Sequence, residues 1–326
     1  MRQFFWGEGV LDPVQTELDP AESHQQYRIC AAIVTYNIGE ALHRCVEAIR
    51  DQVGHVLIVD NGSDEPTRRE LNQLADSNSV TVILNERNEG VARALNQAVQ
   101  WARDKGFQWI LTLDHDSEAT PGMVDELVRG YEALERAGIR NVAIVAASPF
   151  DQNIQQYLYY PPRENGGLPV YVGDVISAGS LIQLCVFDVV GLFNEDLFIY
   201  FVDVEFCKRI VRAGFGAYIC PEAVFLHQEG MKKRHKFLWI DTWYDHYGKA
   251  ARYYITRNTI YLMKKLRLSR SEFRELINRL WTDHVNVLLF DEERFATLWF
   301  SLRGLIDGLR GKVGPMDSVS ETCSIG

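Results

Sequence analysis

The sequence has no long apolar run. Nowhere do its 326 residues approach the ~20 uninterrupted apolar positions of a membrane-spanning helix. Its first ten residues lack the basic, apolar, small-residue succession of an export signal, so the expected compartment is the cytoplasm. The six cysteines (Cys30, Cys45, Cys185, Cys207, Cys220 and Cys323) include no C-x-x-C pair, which argues against a zinc ribbon or a disulfide framework and for reduced, mostly core thiols. Also missing are G-x-G-x-x-G and the P-loop pattern, so a dinucleotide dehydrogenase or P-loop NTPase is not expected.

The remaining composition is that of an ordinary globular chain, 47% apolar and 24% charged, long enough for one large domain or a domain with an appendage. The net charge of −10 is unevenly spread. Residues 231–279 hold thirteen Lys/Arg against four Asp/Glu, so that segment is +9 and the remainder −19. Such asymmetry suits an anionic partner. No nucleic-acid motif accompanies it, so nucleic acid is not expected; an anionic membrane surface or a phosphorylated acceptor fits the charge better.

Residues 1–27 are polar, carry Pro13 and Pro20, and form an expected loose arm. Buried strands are predicted at 29–35, 56–59 and 80–84, and helices at 40–50, 65–75 and 90–105; Leu42, Cys45, Val46 and Ile49 mark the apolar face of the first helix. Strand and helix alternate as in a parallel α/β sheet with right-handed crossovers.

The fourth strand opens Trp109-Ile110-Leu111-Thr112-Leu113-Asp114-His115-Asp116-Ser117. In extended backbone, residues i and i+2 point the same way, so Asp114 and Asp116 could meet one divalent cation, Mg2+ or Mn2+, at the carboxyl edge of the sheet. A hard ion held by one or two carboxylates keeps positions open for diphosphate oxygens. The competing reading is a turn followed by a helix cap. In the first reading the base would sit at the two earlier strand ends, Thr35-Tyr36-Asn37 and Asp60-Asn61-Gly62-Ser63, with Asp60 accepting the N3 hydrogen of uracil or thymine.

Ile33-Val34-Thr35-Tyr36-Asn37, Ile58-Val59-Asp60-Asn61-Gly62-Ser63, Asn88-Glu89-Gly90-Val91-Ala92 and Leu113-Asp114-His115-Asp116-Ser117 stand in the order and spacing of family 2 glycosyltransferases. The chain resembles their bacterial rhamnosyltransferase branch over residues 29–265; His115 replaces the usual Gln of the metal motif. The resemblance implies a GT-A-type fold, a Rossmann-like, mostly parallel central sheet flanked by helices. It also implies an inverting, metal-dependent transferase that takes a nucleoside-diphosphate sugar, dTDP-L-rhamnose, to a cell-surface glycan or lipid-linked glycan acceptor. Asn88, Gly90 and His115 join the nucleotide-sugar residues on this ground.

By the same resemblance, the Ser177, Gly179 and Ser180 segment lies on the acceptor side, its small residues allowing backbone to approach the sugars. The family pattern Glu-Asp-x-Asp-x-x-x-Arg aligns with Val202-Asp203-Val204-Glu205-Phe206-Cys207-Lys208-Arg209, which departs at Val202 and Glu205 but keeps Asp203 and Arg209. Asp203 is predicted at a helix N-terminus, where the dipole favours the ionised carboxylate, and is the implied general base; a first-turn acid is the structural alternative. Glu205 and Arg209 are assigned to the acceptor side. His227 is a candidate third metal ligand with Asp114 and Asp116, or a structural histidine.

The expected organisation is an arm at 1–27, a GT-A catalytic domain at 28–230 (nucleotide-sugar half 28–120, acceptor half 121–230) and a basic helical extension at 231–326. Helices there are predicted with one apolar and one cationic face, docking peripherally and salt-reversibly on an anionic membrane with only slight insertion, and Gly311 onward is predicted frayed. Two alternatives stand beside the transferase. A nucleotidyltransferase would carry a basic Gly-rich loop after its first strand, and Thr35-Tyr36-Asn37-Ile38-Gly39 has no Lys or Arg. A non-catalytic sugar- or membrane-binding module would not need Asp114, Asp116 and Asp203 together.

Overall fold

The computed structural model describes residues 27–39, 41–75, 77–164, 166–227, 232–237, 240–245 and 247–317. The expected N-terminal arm lies, Tyr27 apart, outside the described residues.

Four strands rich in Val, Ile and Leu open the sheet; three are buried on both faces, as parallel strands between two helix layers must be, and the one at the sheet edge, residues 80–84, is only partly buried. They are β1 (Ile29–Thr35), β2 (His55–Asp60), β3 (Val80–Leu84) and β4 (Trp109–Asp114). Helices α1 (Ala41–Arg50), α2 (Glu65–Ala75) and α3 (Val91–Asp104) connect them, each burying one apolar stripe. β1 pairs in parallel with β2 and β4, and β2 with β3. The register aligns Thr35 with Asp60 and Val34 with Asp114, so three chain segments turn off the sheet at one carboxyl edge.

The sheet then becomes mixed. The short β5 (Glu118–Ala119), α4 (Met123–Arg136), β6 (Val142–Asp151), β7 (Gln156–Tyr157), β8 (Val170–Tyr171), β9 (Ser180–Gln183), α5 (Val186–Val190), α6 (Val202–Arg212) and β10 (Gly216–His227) complete it. Its order is β3-β2-β1-β4-β9-β6-β10-β5, with β7 on β6 and β8 on β10. β9 inserts antiparallel between β4 and β6, while β10 runs parallel to β6. Two apolar clusters, one per face, hold the helices to this sheet.

Beyond the sheet, β11 (Lys232–Phe237) and β12 (Ile240–Asp245) form an antiparallel hairpin, where helix was expected from residue 231 onward. Three helices follow: α7 (Lys249–Lys265), α8 (Arg270–Phe290) and α9 (Arg294–Arg310). The expectation of one apolar and one cationic face fails for α7, where twelve of its residues are buried, Arg252 and Arg257 among them. The helix is buried because α9 covers one side of it and the 196–201 loop another. Nor is the described tail frayed: the Gly314 N–H donates to the Asp196 carbonyl, the Met316 N–H donates to Tyr254 Oη, and Met316 is buried.

Candidate active site

The carboxyl edge carries the acids. β4 ends at Asp114, and the turn that follows is pinned from behind, the Cys45 thiol on α1 donating to the His115 carbonyl at 2.7 Å. The chain at once enters β5, whose Glu118 pairs with Leu226 of β10. This two-residue strand brings His227, the last residue of β10, beside the Asp-x-Asp turn: His227 Nδ1 lies 3.7 Å from Asp116 Oδ1. His227 Nδ1, Thr35 Oγ1 and Ser117 Oγ are all buried without a hydrogen-bond partner in the protein. Buried polar atoms are ordinarily paired, and unpaired ones at a sheet edge mark a place built for a ligand.

Asp114 is held above the usual carboxylate range, first by burial and then by the charge of Asp116, with His227 and His115 opposing. A divalent cation would relieve that repulsion and use the orphaned imidazole nitrogen, so the donor set fits a hard or borderline ion. It fits as an incomplete shell. Among the described residues no group of three or more His, Cys, Asp or Glu side chains is gathered tightly enough to ligate a metal, and diphosphate oxygens would have to finish the coordination.

Asp203 is the second residue of α6, and its Oδ1 accepts the Val204 N–H at 2.8 Å. The dipole argument predicts a lowered pKa; the structure reverses it. Burial pushes Asp203 up to about 6, and the charges of Asp114 and Asp174 push the same way, outweighing the backbone N–H groups. A carboxylate poised near 6 matches general-base work at neutral pH better than one near 4.

The loop that delivers Asp203 is strained. Phe198, Tyr200 and Phe201 all have positive φ (65°, 63° and 62°), costing ~1–3 kcal/mol each for such residues. Two neighbours on α7 hold it. Asn258 Nδ2 donates to the carbonyls of Leu197, Ile199 and Tyr200 at 3.0, 2.7 and 2.9 Å. Arg257 donates to Leu197 at 2.7 Å and to Asp196 at 3.2 Å, and its Nε is fixed by Asn258 Oδ1. The far side of the loop rests on the Asn88 segment: the Val91 N–H donates to the Phe198 carbonyl at 2.8 Å, and a Cβ on Gly90 would lie 2.6 Å from that oxygen. Gly90 therefore serves this contact, and the Asn88 side chain accepts the Gly90 N–H.

Other predicted site residues have structural work. Asp60 is fully buried, with the Gly62 and Ser63 N–H groups and Ser63 Oγ donating to its carboxylate. It builds the turn after β2, both carboxylate oxygens taking donors of that turn. Asn61 is buried, its Oδ1 taking Asn85 Nδ2 and tying that turn to the 85–90 loop. Asn37, exposed beside the half-buried Tyr36, accepts the Asp64 N–H, so the first two strand ends form one bonded rim.

The acceptor-side expectation is corrected further. A Cβ on Gly179 (φ 74°) would lie 2.5 Å from the Phe225 ring, so its smallness seats Phe225 rather than a sugar; that ring in turn lies 5.9 Å from His227. Ser180 is buried and donates to Ile176, and the Ser177 carbonyl accepts from Thr112, leaving the half-buried Ser177 side chain nearest the surface. Glu205 and Arg209 are a bidentate pair whose guanidinium also bonds the carbonyls of Val190, Gly191 and Leu192. The pair fastens the α5–α6 connection. Residue patterning alone does not reveal the Arg257–Asn258 clamp, because its partners are backbone carbonyls ~60 residues away.

The mixed sheet opens its acids at one edge, with the Asp203 carboxylate beyond them, in a GT-A-type arrangement. Residues 30–182, just under half of the chain, match the model described as Glycosyl transferase family 2. It is 29% identical over 305 residues to the dTDP-rhamnosyl transferase RfbF of Shigella flexneri, across 88% of this chain and 97% of that protein. It is 26% identical to the Galactofuranosyltransferase GlfT1 of Mycolicibacterium smegmatis, across 85% and 95%. Among solved structures, that of GalNAc-T7 with UDP, GalNAc and Mn2+ superposes with a TM-score of 0.50 at 16% identity. The match covers 78% of this chain, which spans about half (54%) of that one. That likeness is one of fold.

Proposed function

We propose that this glycosyltransferase is an inverting, metal-dependent rhamnosyltransferase that moves L-rhamnose from dTDP-L-rhamnose to a cell-surface glycan acceptor. The observation that carries this reading is the meeting of Asp114, Asp116 and His227 at one edge, with Asp203 close enough for the Asp114 charge to raise its pKa. Similarity to the Shigella protein supports the sugar and the nucleotide.

Asp116 and His227, with Asp114 beside them, would hold Mg2+ or Mn2+, which when bound would draw charge from the departing diphosphate. Asp203 takes the proton of an acceptor hydroxyl as its oxygen attacks the anomeric carbon. The new carbon–oxygen bond forms on the face opposite the breaking bond to diphosphate, the nucleotide leaves with that electron pair, and the configuration inverts. Such base assistance contributes ~10²–10⁴ in rate.

Incubation with a panel of nucleotide sugars, including dTDP-rhamnose and a galactofuranose donor, with Mg2+, Mn2+ or chelator, tests the reading by diphosphate release. Release is expected fastest with dTDP-rhamnose and lost with chelator. Preference for the galactofuranose donor overturns the sugar assignment; release indifferent to chelator overturns the metal.

The metal site has its own measurement. In calorimetric titration with dTDP, Mg2+ is expected to tighten binding by wild type and to leave Asp116→Ala and His227→Ala nearly unaffected. Equal enhancement in all three proteins would remove these residues from the metal's coordination.

A further inference from the structure

Helix α9 is inside out. Its buried face is small or polar (Thr297, Ser301, Gly304, Asp307 and Gly308), and its outward face is large and apolar. Contact with α7 is close enough that a Cβ on Gly304 would lie 2.3 Å from the Tyr253 carbonyl oxygen and one on Gly308 3.0 Å from that of Arg257. Small residues four apart that let backbones touch are the packing device of helices in lipid, where side-chain burial between helices yields no hydrophobic gain.

On the other side Phe295, Trp299, Leu302, Ile306 and Leu309 recur at spacings of four and three, making one continuous stripe. Phe295 is 83% exposed and Trp299 65%. The neighbouring α8 behaves alike: only Leu276 and Val287 are buried along its 21 residues, while Phe273, Ile277 and Trp281 face out, Trp281 at 71% exposure. An apolar area of this kind marks a docking surface rather than scattered surface hydrophobes.

We infer that α8 and α9 are a monotopic membrane-docking surface, seating Trp281, Phe295 and Trp299 in the headgroup and acyl boundary of an anionic bilayer. The charges on α9 select this occupant. Arg294 and Arg310 are its exposed cations, one at each end; Arg303 lies over the buried Tyr253 ring and donates to the Asp317 carbonyl, and the one acid, Asp307, is turned inward to accept from Tyr253 Oη at 2.9 Å. Aromatic and aliphatic bulk with arginine as the outward charge is the composition of an interfacial helix. A second copy of the chain fits less well. Antiparallel α9 helices would bring Arg294 against Arg310, parallel ones would set each arginine against itself, and like charges oppose pairing. No described helix is long and apolar enough to cross a membrane, so the pair lies on the surface. Insertion by these helices replaces the expectation of slight insertion by a cationic face. The inference is independent of which sugar is transferred.

Co-flotation with phosphatidylglycerol/phosphatidylcholine vesicles and with phosphatidylcholine alone tests it, comparing wild type with the double variant Phe295→Glu/Trp299→Glu. Both positions are exposed, so the variant is expected to fold, checked by unchanged dTDP affinity. Wild type should partition onto anionic vesicles with a blue-shifted tryptophan emission, more weakly but still measurably at 1 M salt, because screening removes charge attraction and leaves insertion. The double variant should bind ~100-fold more weakly or worse. Equal partitioning of the two proteins, or no binding by wild type, overturns the inference. So does sedimentation showing a wild-type dimer that the double variant dissolves, which would give the face to a second copy.

Discussion

Asp203→Asn is expected to lower glycosyl transfer by ~100-fold or more while leaving dTDP binding intact and making the protein more stable. The amide keeps the acceptor for the Val204 N–H but cannot take a proton. In wild type, transfer should rise with pH through a midpoint at about 6, because only the ionised carboxylate is a base. Stability follows the opposite course. A folded pKa raised from 3.8 to about 6 means that the fold prefers the protonated carboxyl, so stability present below pH ~4 is lost as pH rises through 6. At pH 8 that loss is about 2–3 kcal/mol, and the Asn variant escapes it. Thermal unfolding of both proteins at pH 4 and pH 8 should show the variant's advantage at pH 8 alone. A variant transferring within tenfold of wild type would make Asp203 a first-turn acid and nothing more.

Loss of the loop clamp should be nearly as damaging by another route. Asn258→Ala removes an amide whose two N–H groups serve three carbonyls; Leu197 keeps Arg257, but the partly buried carbonyls of Ile199 and Tyr200 lose the group that held them. Each unsatisfied carbonyl costs ~1–3 kcal/mol, so a loss of ~3–5 kcal/mol is expected. The positive φ values at Phe198, Tyr200 and Phe201 would then relax, and Asp203, directly downstream, would move. Displacement of ~1 Å at a reacting group costs ~100-fold in rate. A stability defect alone would leave the pH profile of the surviving activity in place. Relaxation instead exposes Asp203, and the midpoint should fall from about 6 toward the ordinary carboxylate value. An unchanged midpoint would show that Asn258 supports the fold without positioning the base.

The sequence by itself determined the first half of the sheet. Strands β1 to β4 and helices α1 to α3 are written in local periodicity, because a parallel strand buried on both faces must be continuously apolar and its crossover helix must carry one apolar stripe. The two-residue spacing of Asp114 and Asp116 was read as extended backbone, but the strand ends at Asp114 and Asp116 lies in the turn that the Ser117 N–H closes onto the Asp114 carbonyl. Local pattern does not say what a buried polar atom touches. Asp60, read as a base acceptor, also takes the donors of its own turn, and Glu205 and Arg209 face each other and the α5–α6 connection. Nor could spacing show β9 lying between β4 and β6, since an antiparallel insertion depends on a chain reversal far from either neighbour.

Only the tertiary structure decided the rest, where burial competes with sequence rule. The helix dipole would lower the pKa of Asp203, but packing around α6 desolvates it and wins. His227, already a candidate ligand in the sequence, is brought to Asp116 by a two-residue strand that crosses to β10. The apolar stripe of α9 should, by periodicity, face the core; the glycines opposite allow α7 to approach so closely that the small face is buried and the large one is left outside.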